Sequence, residues 1–195
     1  MIIDIPENSD FSIYNIPFGI FSTKLRTPRA GVAIGDHILD LVALSELGVF
    51  DFDTSVFKKN TLNDFISLGK PITNKVRSSI QLWISDENSP ISNKPKLFVL
   101  QSESQMHMPI NVGDYTDFYS SIEHATNVGT MFRDKENPLL PNWKHIPVGY
   151  HGRSSSIIIS KQPVIRPKGQ VLPPNSTQPV FKATERLDFE LEMAF

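Results

Sequence analysis

Four kinds of reactive side chain fall within residues 117–133, DFYSSIEHATNVGTMFR: a carboxylate (Asp117), phenol (Tyr119), imidazole (His124) and guanidinium (Arg133). A short extended piece is expected first, with Asp117 and Tyr119 on one side because strand side chains alternate. Ser120 and Glu123 have the spacing of a capping box, which predicts a helix from Ser121. Ala125, Val128 and Phe132 then recur at i, i+3 and i+7, as a buried stripe would. His124 falls in the first turn, where the positive end of the helix dipole disfavours imidazolium and suits a neutral base. The same residues also fit a capped helix with a polar first turn and an ordinary histidine.

A second chemical stretch lies at 187–195. Leu187, Phe189, Leu191, Met193 and Phe195 alternate with Asp188, Glu190 and Glu192. This predicts a strand with one apolar and one acidic face. Carboxylates two residues apart on a strand sit about 7 Å from each other, within reach of one cation. A half-buried strand with a wet acidic face reads the same way.

Residues 114–156, DYTDFYSSIEHATNVGTMFRDKENPLLPNWKHIPVGYHGRSSS, resemble the fumarylacetoacetase (fumarylacetoacetate hydrolase) family. So do LDFELEMAF at 187–195, DFSIYNIPFGIFST at 10–23 and GVAIGDHILDL at 31–41. The resemblance runs along the whole chain. It implies the N-terminal part of a longer enzyme, because the family's members are longer. The implied fold is mainly β with a few helices. A small SH3-like barrel over 1–113 would precede the first part of a mixed β-sandwich or roll catalytic domain, 114–195.

By that resemblance Asp117, Glu190 and Glu192 match metal ligands, and a fourth, an Asp, would lie beyond Phe195. Their all-oxygen chemistry suits Mg²⁺ or Ca²⁺ rather than zinc or copper. Asp188 matches no ligand position and is expected to be structural. His124 matches the catalytic base; Tyr119, Arg133 and Tyr150 match substrate-binding positions. Arg133 shares a face with His124 only if the helix ends or bends near Phe132. His145 and His151 match no site position. The implied reaction is hydrolysis of a carbon–carbon bond in a 1,3-diketo acid, fumarylacetoacetate to fumarate and acetoacetate, the last step of tyrosine catabolism. The implied assembly is a homodimer. Residues 1–195 alone are expected to bind cations weakly and to lack activity. Two alternatives remain: a metal-dependent keto-acid isomerase or decarboxylase of the same scaffold, and a non-catalytic cation-binding module.

These segments need a scaffold, and composition sets its class. With 39% hydrophobic residues, 21% charged residues and a net charge of −2, the chain reads as soluble and globular. That balance argues against nucleic-acid or membrane-surface partners. With no cysteine, disulfides, thiolate nucleophiles and cysteine-based zinc sites are excluded. No apolar run approaches the roughly 18 residues of a membrane span. The opening Met1-Ile2-Ile3-Asp4 lacks a basic, then apolar, leader, which leaves the cytosol as the expected compartment.

Gly35-Asp36 between Gly31–Ile34 and His37–Leu41 predicts a two-residue hairpin, with His37 on its surface. A short helix is expected over Leu41 to Phe50. Another is expected from an N-cap at Thr61 to Leu68, ended by Gly69 and Pro71. Val76, Ile80, Trp83 and Ile84 predict a third. Residues 95–100 read as a buried strand and 106–113 as a connection, its Met106-His107-Met108 a weak soft-metal signal. Residues 143–148 are expected extended, 149–153 as a glycine loop, 157–159 as a buried strand and 164–182 as an irregular excursion. Ser154–Ser156 lacks the G-x-S-x-G elbow of a serine nucleophile.

Overall fold

A two-residue turn at Gly35 and Asp36 sets the register of the N-terminal sheet. Gly35 takes the positive φ of 51° that the first position of such a turn requires. The strands it joins are β2 (Arg29–Ile34) and β3 (His37–Asp40), paired antiparallel from Ile34↔His37 to Gly31↔Asp40. The structure, a computed structural model, describes residues 3–187 and 189–194. β1 (Phe18–Ser22), β4 (Phe98–Leu100) and β5 (Gln105–His107) complete an antiparallel sheet of order β4-β3-β2-β1-β5.

The two edges of that sheet, β4 and β5, follow one another in sequence. One 3-10 turn, Gln101–Glu103, joins them. Flat strands would put those edges about 19 Å apart at about 4.8 Å per step. The link from Leu100 to Gln105 reaches at most about 17 Å, and less through a 3-10 turn. The sheet therefore curls into a half-barrel. The chain is mainly β with a few helices, as the sequence led one to expect.

The inner face of the half-barrel carries Ile20, Val32, Ile34 and Leu39, all fully buried. Helices close over it. α1 (Leu41–Ser45) starts at Asp40, whose Oδ1 accepts from the N–H groups of Val42 and Ala43. α2 (Asn63–Ser67) has Leu62 at its N-cap with no side-chain cap, so Thr61 is not the cap the sequence suggested. α3 (Lys70–Ser85) begins at once, with Pro71 in its first turn. Proline fits there because its missing N–H needs no partner. It opens this helix rather than merely closing the previous one.

Val76, Ile80 and Ile84 of α3 are buried, on the expected spacing. Arg77 donates to the carbonyls of Tyr14 and Ile16, and Gln81 to that of Ile13. These bonds satisfy the backbone of the entering segment, which has no strand partner there. Phe57 stacks between Phe65, Phe50 and Phe52 with centroids 5.2–5.8 Å apart, a spacing at which aromatic edges and faces attract.

Asp40 is 1% exposed, and its Oδ2 lies 3.0 Å from Arg26 Nη1 and 3.7 Å from Arg29 Nη1. Burial of this carboxylate is tolerable because every oxygen is used: one caps α1, the other meets two guanidinium groups. Arg26 also donates to the carbonyl of Lys96.

Residues 95–97 form a 3-10 turn and only Phe98–Leu100 is strand. Pro95 has no N–H for a ladder and a φ suited to a turn. The expected connection at 106–113 begins inside β5, where Ile20 pairs with His107. His107 Nε2 is 2.7 Å from Ser22 Oγ, a partner that explains the histidine without a metal. His37 stacks edge-on to Phe98, and its Nδ1 is buried without a hydrogen-bond partner, so it is less of a surface residue than expected.

The chain divides into two units, one through Ile159 and one from Ser160. The first also holds β6 (Thr116–Phe118), α4 (Ile122–Phe132) and β7 (Gly149–His151). Residues 157–159 were expected as a buried strand. They form none, and Ile157 and Ile158 are exposed. An apolar run becomes a strand only where another strand takes up its backbone groups.

In the second unit β8 (Lys168–Val171) and β9 (Val180–Ala183) form a hairpin where an irregular excursion was expected. Arg166 closes its open end by donating to the Thr184 carbonyl. Residues 187 and 189–194 are not strand, and Leu187, Phe189, Leu191 and Met193 are exposed. The alternation is real, but alternation alone makes no ladder. Asp188 and Phe195, read as a structural acid and the end of the apolar face, lie outside the described residues, as do Met1 and Ile2 of the opening. Among the described residues no helix is long and apolar enough to cross a membrane.

Candidate active site

β6 and β7 pair antiparallel, with Thr116↔His151, Asp117↔Tyr150 and Phe118↔Gly149. The expected glycine loop at 149–153 is thus a strand over its first three residues. The pairing puts Tyr150 directly across from Asp117, and its phenol donates to Asp117 Oδ2 at 2.8 Å. Two residues singled out for different roles, cation and substrate, share one hydrogen bond. Gly152 N–H continues the pairing to the Tyr115 carbonyl. His151 Nε2 lies 3.6 Å from Asp114 Oδ1, both well exposed.

Tyr119 follows β6 and is held at three points. Its N–H donates to the Val148 carbonyl at 2.8 Å, and its carbonyl accepts from Trp143 Nε1 at 3.1 Å. Its hydroxyl donates to the Ala125 carbonyl at 3.2 Å. The ring meets the imidazole of His124 edge to face, centroids 5.5 Å apart at 79°.

Ser121, not Ser120, caps α4: its Oγ accepts from the N–H of His124 at 3.2 Å. The capping pattern is shifted by one residue, and the Ser121 hydroxyl donates to Glu123 Oε2. His124 is in the first turn, as expected, and its ring is exposed. The buried positions of α4 are Ala125 and Gly129, four apart. Phe132, expected in the stripe, is 79% exposed. Gly129 takes the inward place instead, because the backbone of Pro138 lies against it where a Cβ would stand.

α4 ends at Phe132 and Arg133 is extended, with φ −132° and ψ −175°. The helix therefore stops where a shared face with His124 required it to stop. The two residues are still roughly 13 Å apart along the helix axis at 1.5 Å per residue. The guanidinium of Arg133 donates to the Pro138 carbonyl at 3.2 Å.

So the structure brings Asp117 together with Tyr150, and Tyr119 with His124, while Arg133 stands at the other end of α4. Glu190 and Glu192 belong to the second unit, where both are exposed. Within either unit, no three His, Asp or Glu side chains among the described residues gather to hold a metal ion. The donor chemistry fits a hard cation: Asp117 offers carboxylate oxygens, one of them steadied by a phenol, and the glutamates offer more of the same.

Trp143 escaped the sequence reading, which expected 143–148 to be extended. Residues 141–145 instead form turns, closed by Trp143 N–H to the Leu140 carbonyl and His145 N–H to the Asn142 carbonyl. The signal was available in Pro138, Pro141 and Asn142, all turn formers. A separate cavity of about 450 Å³, lined by Thr23, Arg26, His37, Phe98 and Glu103 among others, shares no residue with this site.

Comparison with known proteins covers nearly the whole chain. Residues 14–109 match the family model described as fumarylacetoacetase N-terminal. The chain is 50% identical over 201 residues to the fumarylacetoacetase of Rattus norvegicus, covering 99% of this chain and 48% of that protein. It is 49% identical to the fumarylacetoacetase of Homo sapiens over the same shares, and 45% identical to that of Arabidopsis thaliana, covering 98% of this chain and 48% of the plant protein. The chain thus spans about half the length of the curated relatives it matches. With near-half identity to animal and plant members along 98–99% of its length, the chain is similar to fumarylacetoacetases over about half of theirs.

Proposed function

We propose that this chain supplies the N-terminal half of a fumarylacetoacetase, a hydrolase that cleaves fumarylacetoacetate to fumarate and acetoacetate. The observation that carries the reading is the 50% identity to a curated fumarylacetoacetase across 99% of the chain. The pairs Tyr150–Asp117 and Tyr119–His124 support it, because they couple residues that the family resemblance assigns to one reaction.

On that resemblance we assign Asp117, Glu190 and Glu192 as the residues that would hold Mg²⁺ or Ca²⁺. Such a cation would supply Lewis-acid polarisation of a ketone carbonyl. His124 takes a proton from water, and the water oxygen attacks that carbonyl carbon. The adjoining carbon–carbon bond breaks, its electron pair leaves as an enolate, and a proton returns to the leaving carbon. Tyr119 and Tyr150 orient the diketo acid through their hydroxyls. Arg133 exchanges the Pro138 carbonyl for a substrate carboxylate, whose two oxygens match the guanidinium fork better than one carbonyl does. The cytoplasmic, homodimeric state implied by the resemblance is part of the same proposal.

The test is turnover by the purified full-length protein. Fumarylacetoacetate should be cleaved when Mg²⁺ or Ca²⁺ is supplied and spared after chelation. Simple acylpyruvates should be poorer substrates, and oxaloacetate should not be decarboxylated. Absence of fumarylacetoacetate cleavage with either cation present, or faster oxaloacetate decarboxylation, sinks the reading.

A further inference from the structure

Trp143 lies outside the residues assigned to the reaction, in a turn of the 140–146 segment. Its indole N–H reaches back to the carbonyl of Tyr119 at 3.1 Å. Tyr119 is the hinge between β6 and α4: its N–H is tied to Val148 and its hydroxyl to Ala125 inside α4. Its ring lies edge to face with His124. A partly buried tryptophan, an extended carbonyl, an aromatic ring and an imidazole therefore form one chain of contacts. Loss of the Trp143 bond removes one of the three ties on Tyr119 and leaves those to Val148 and Ala125, which loosens the ring against the imidazole without releasing it.

We propose that Trp143 is a positioning residue for His124, acting through Tyr119: its N–H locks the Tyr119 carbonyl so that the tyrosine ring fixes the imidazole orientation. The inference rests on the reading of His124 as the base, but its first consequence concerns the imidazole position and not the chemistry. An indole suits this role because it donates one hydrogen bond from a wide, rigid, half-buried plate. Angular looseness at a base costs rate more than binding, since proton transfer needs a narrow geometry.

The test uses Trp143→Phe in the full-length protein, which removes the N–H and keeps most of the ring. The readout is the ring-proton NMR signal of His124, assigned by its loss in His124→Asn. In the native protein the nearby Tyr119 ring shifts that signal, and in Trp143→Phe it moves toward the value of an unstructured histidine. The kcat for fumarylacetoacetate falls by about tenfold to a hundredfold, while KM stays within about twofold, the pattern of an interaction used in the transition state. A merely structural tryptophan lowers Tm and leaves both readouts in place on the folded fraction. Should Trp143→Phe fail to fold, 3-benzothienylalanine at 143 deletes the N–H within the same ring shape. An unmoved His124 signal in a folded variant overturns the inference, as does an unchanged kcat. Failure of the base reading looks different: turnover then survives His124→Asn itself.

Discussion

Gly129 and Pro138 touch backbone to backbone: a Cβ on Gly129 would overlap the Pro138 carbonyl, the same carbonyl that accepts from Arg133 Nη1. The helix, the turn after it and the arginine at their junction are thus one packed unit. Replacing a helical glycine by alanine ordinarily helps by up to about 1 kcal/mol. Here overpacking should win, and Gly129→Ala should destabilise by about 1–3 kcal/mol. Denaturant unfolding measures it. Gly113, with open space around its would-be Cβ, is the control, its alanine variant staying within about 0.5 kcal/mol. A neutral or stabilising Gly129→Ala refutes the close contact.

Asp40 joins the sheet to the first helix. Its two oxygens serve the α1 N-terminus and the pair Arg26 and Arg29. Asp40→Ala should cost roughly 3–5 kcal/mol, because it leaves two guanidinium groups facing a buried, empty place. Asp40→Asn keeps an oxygen for the helix and should cost less. Equal losses in the two variants, read from denaturant midpoints, would mean that charge and not capping dominates.

The fold was legible where a pattern is local. Gly35-Asp36 announced its hairpin, and Val76, Ile80 and Ile84 announced the buried face of α3. The sequence was misleading where structure depends on a distant partner. Residues 157–159, 187 and 189–194 have the composition of strands, but a strand exists only through its neighbour. Conversely, 149–151 looked like a loop because of its glycine, and became a strand because β6 lies beside it. The candidate site residues were named through the family resemblance alone. The bonds between them, Tyr150 to Asp117 and Trp143 to Tyr119, were not, because residues 33 and 24 apart have no pattern in common.

Asp51 and Lys75 tie the segment before α2 to α3, with 2.7 Å between Nζ and Oδ2. The hydrogen bond from Lys75 holds the Asp51 carboxyl below its ordinary value near 3.8, with a backbone bond and the lysine charge adding to it. A folded-state value below the unfolded one means a contribution present above about 3.8 and lost as pH falls through the lowered value. Both groups are exposed, so the contribution is small and screened by salt. In Lys75→Met the Asp51 carboxyl signal should titrate closer to 3.8, as followed by carbon NMR. An unchanged titration removes the lysine as the cause.

Tyr150 donates to Asp117, so its loss should be felt by a cation as well as by substrate. Partners of this kind orient a ligand carboxylate, and removing one typically weakens metal binding about 10–100-fold. Tyr150→Phe in the full-length protein should therefore weaken Mg²⁺ or Ca²⁺ binding by about tenfold, by calorimetry, and raise KM. If the phenol served substrate alone, KM would rise with cation affinity unchanged. That outcome would also argue against Asp117 as a ligand.

His124→Asn separates catalysis from architecture. Asparagine keeps a polar side chain of similar reach and leaves the backbone N–H that Ser121 caps. It cannot take up a proton near neutral pH. Loss of a general base typically costs about 10²–10⁴-fold in rate, so kcat in the full-length protein should fall by that much. Cation affinity, assigned to carboxylates, should stay nearly constant. A histidine that only packs on Tyr119 forecasts the reverse: a lower Tm, with kcat per folded molecule preserved. Turnover, metal titration and thermal unfolding on the same samples distinguish the two. If the folded variant works within about threefold of wild type, far less than a lost base costs, His124 is not the proton acceptor. The edge-to-face contact with Tyr119 would then be packing only.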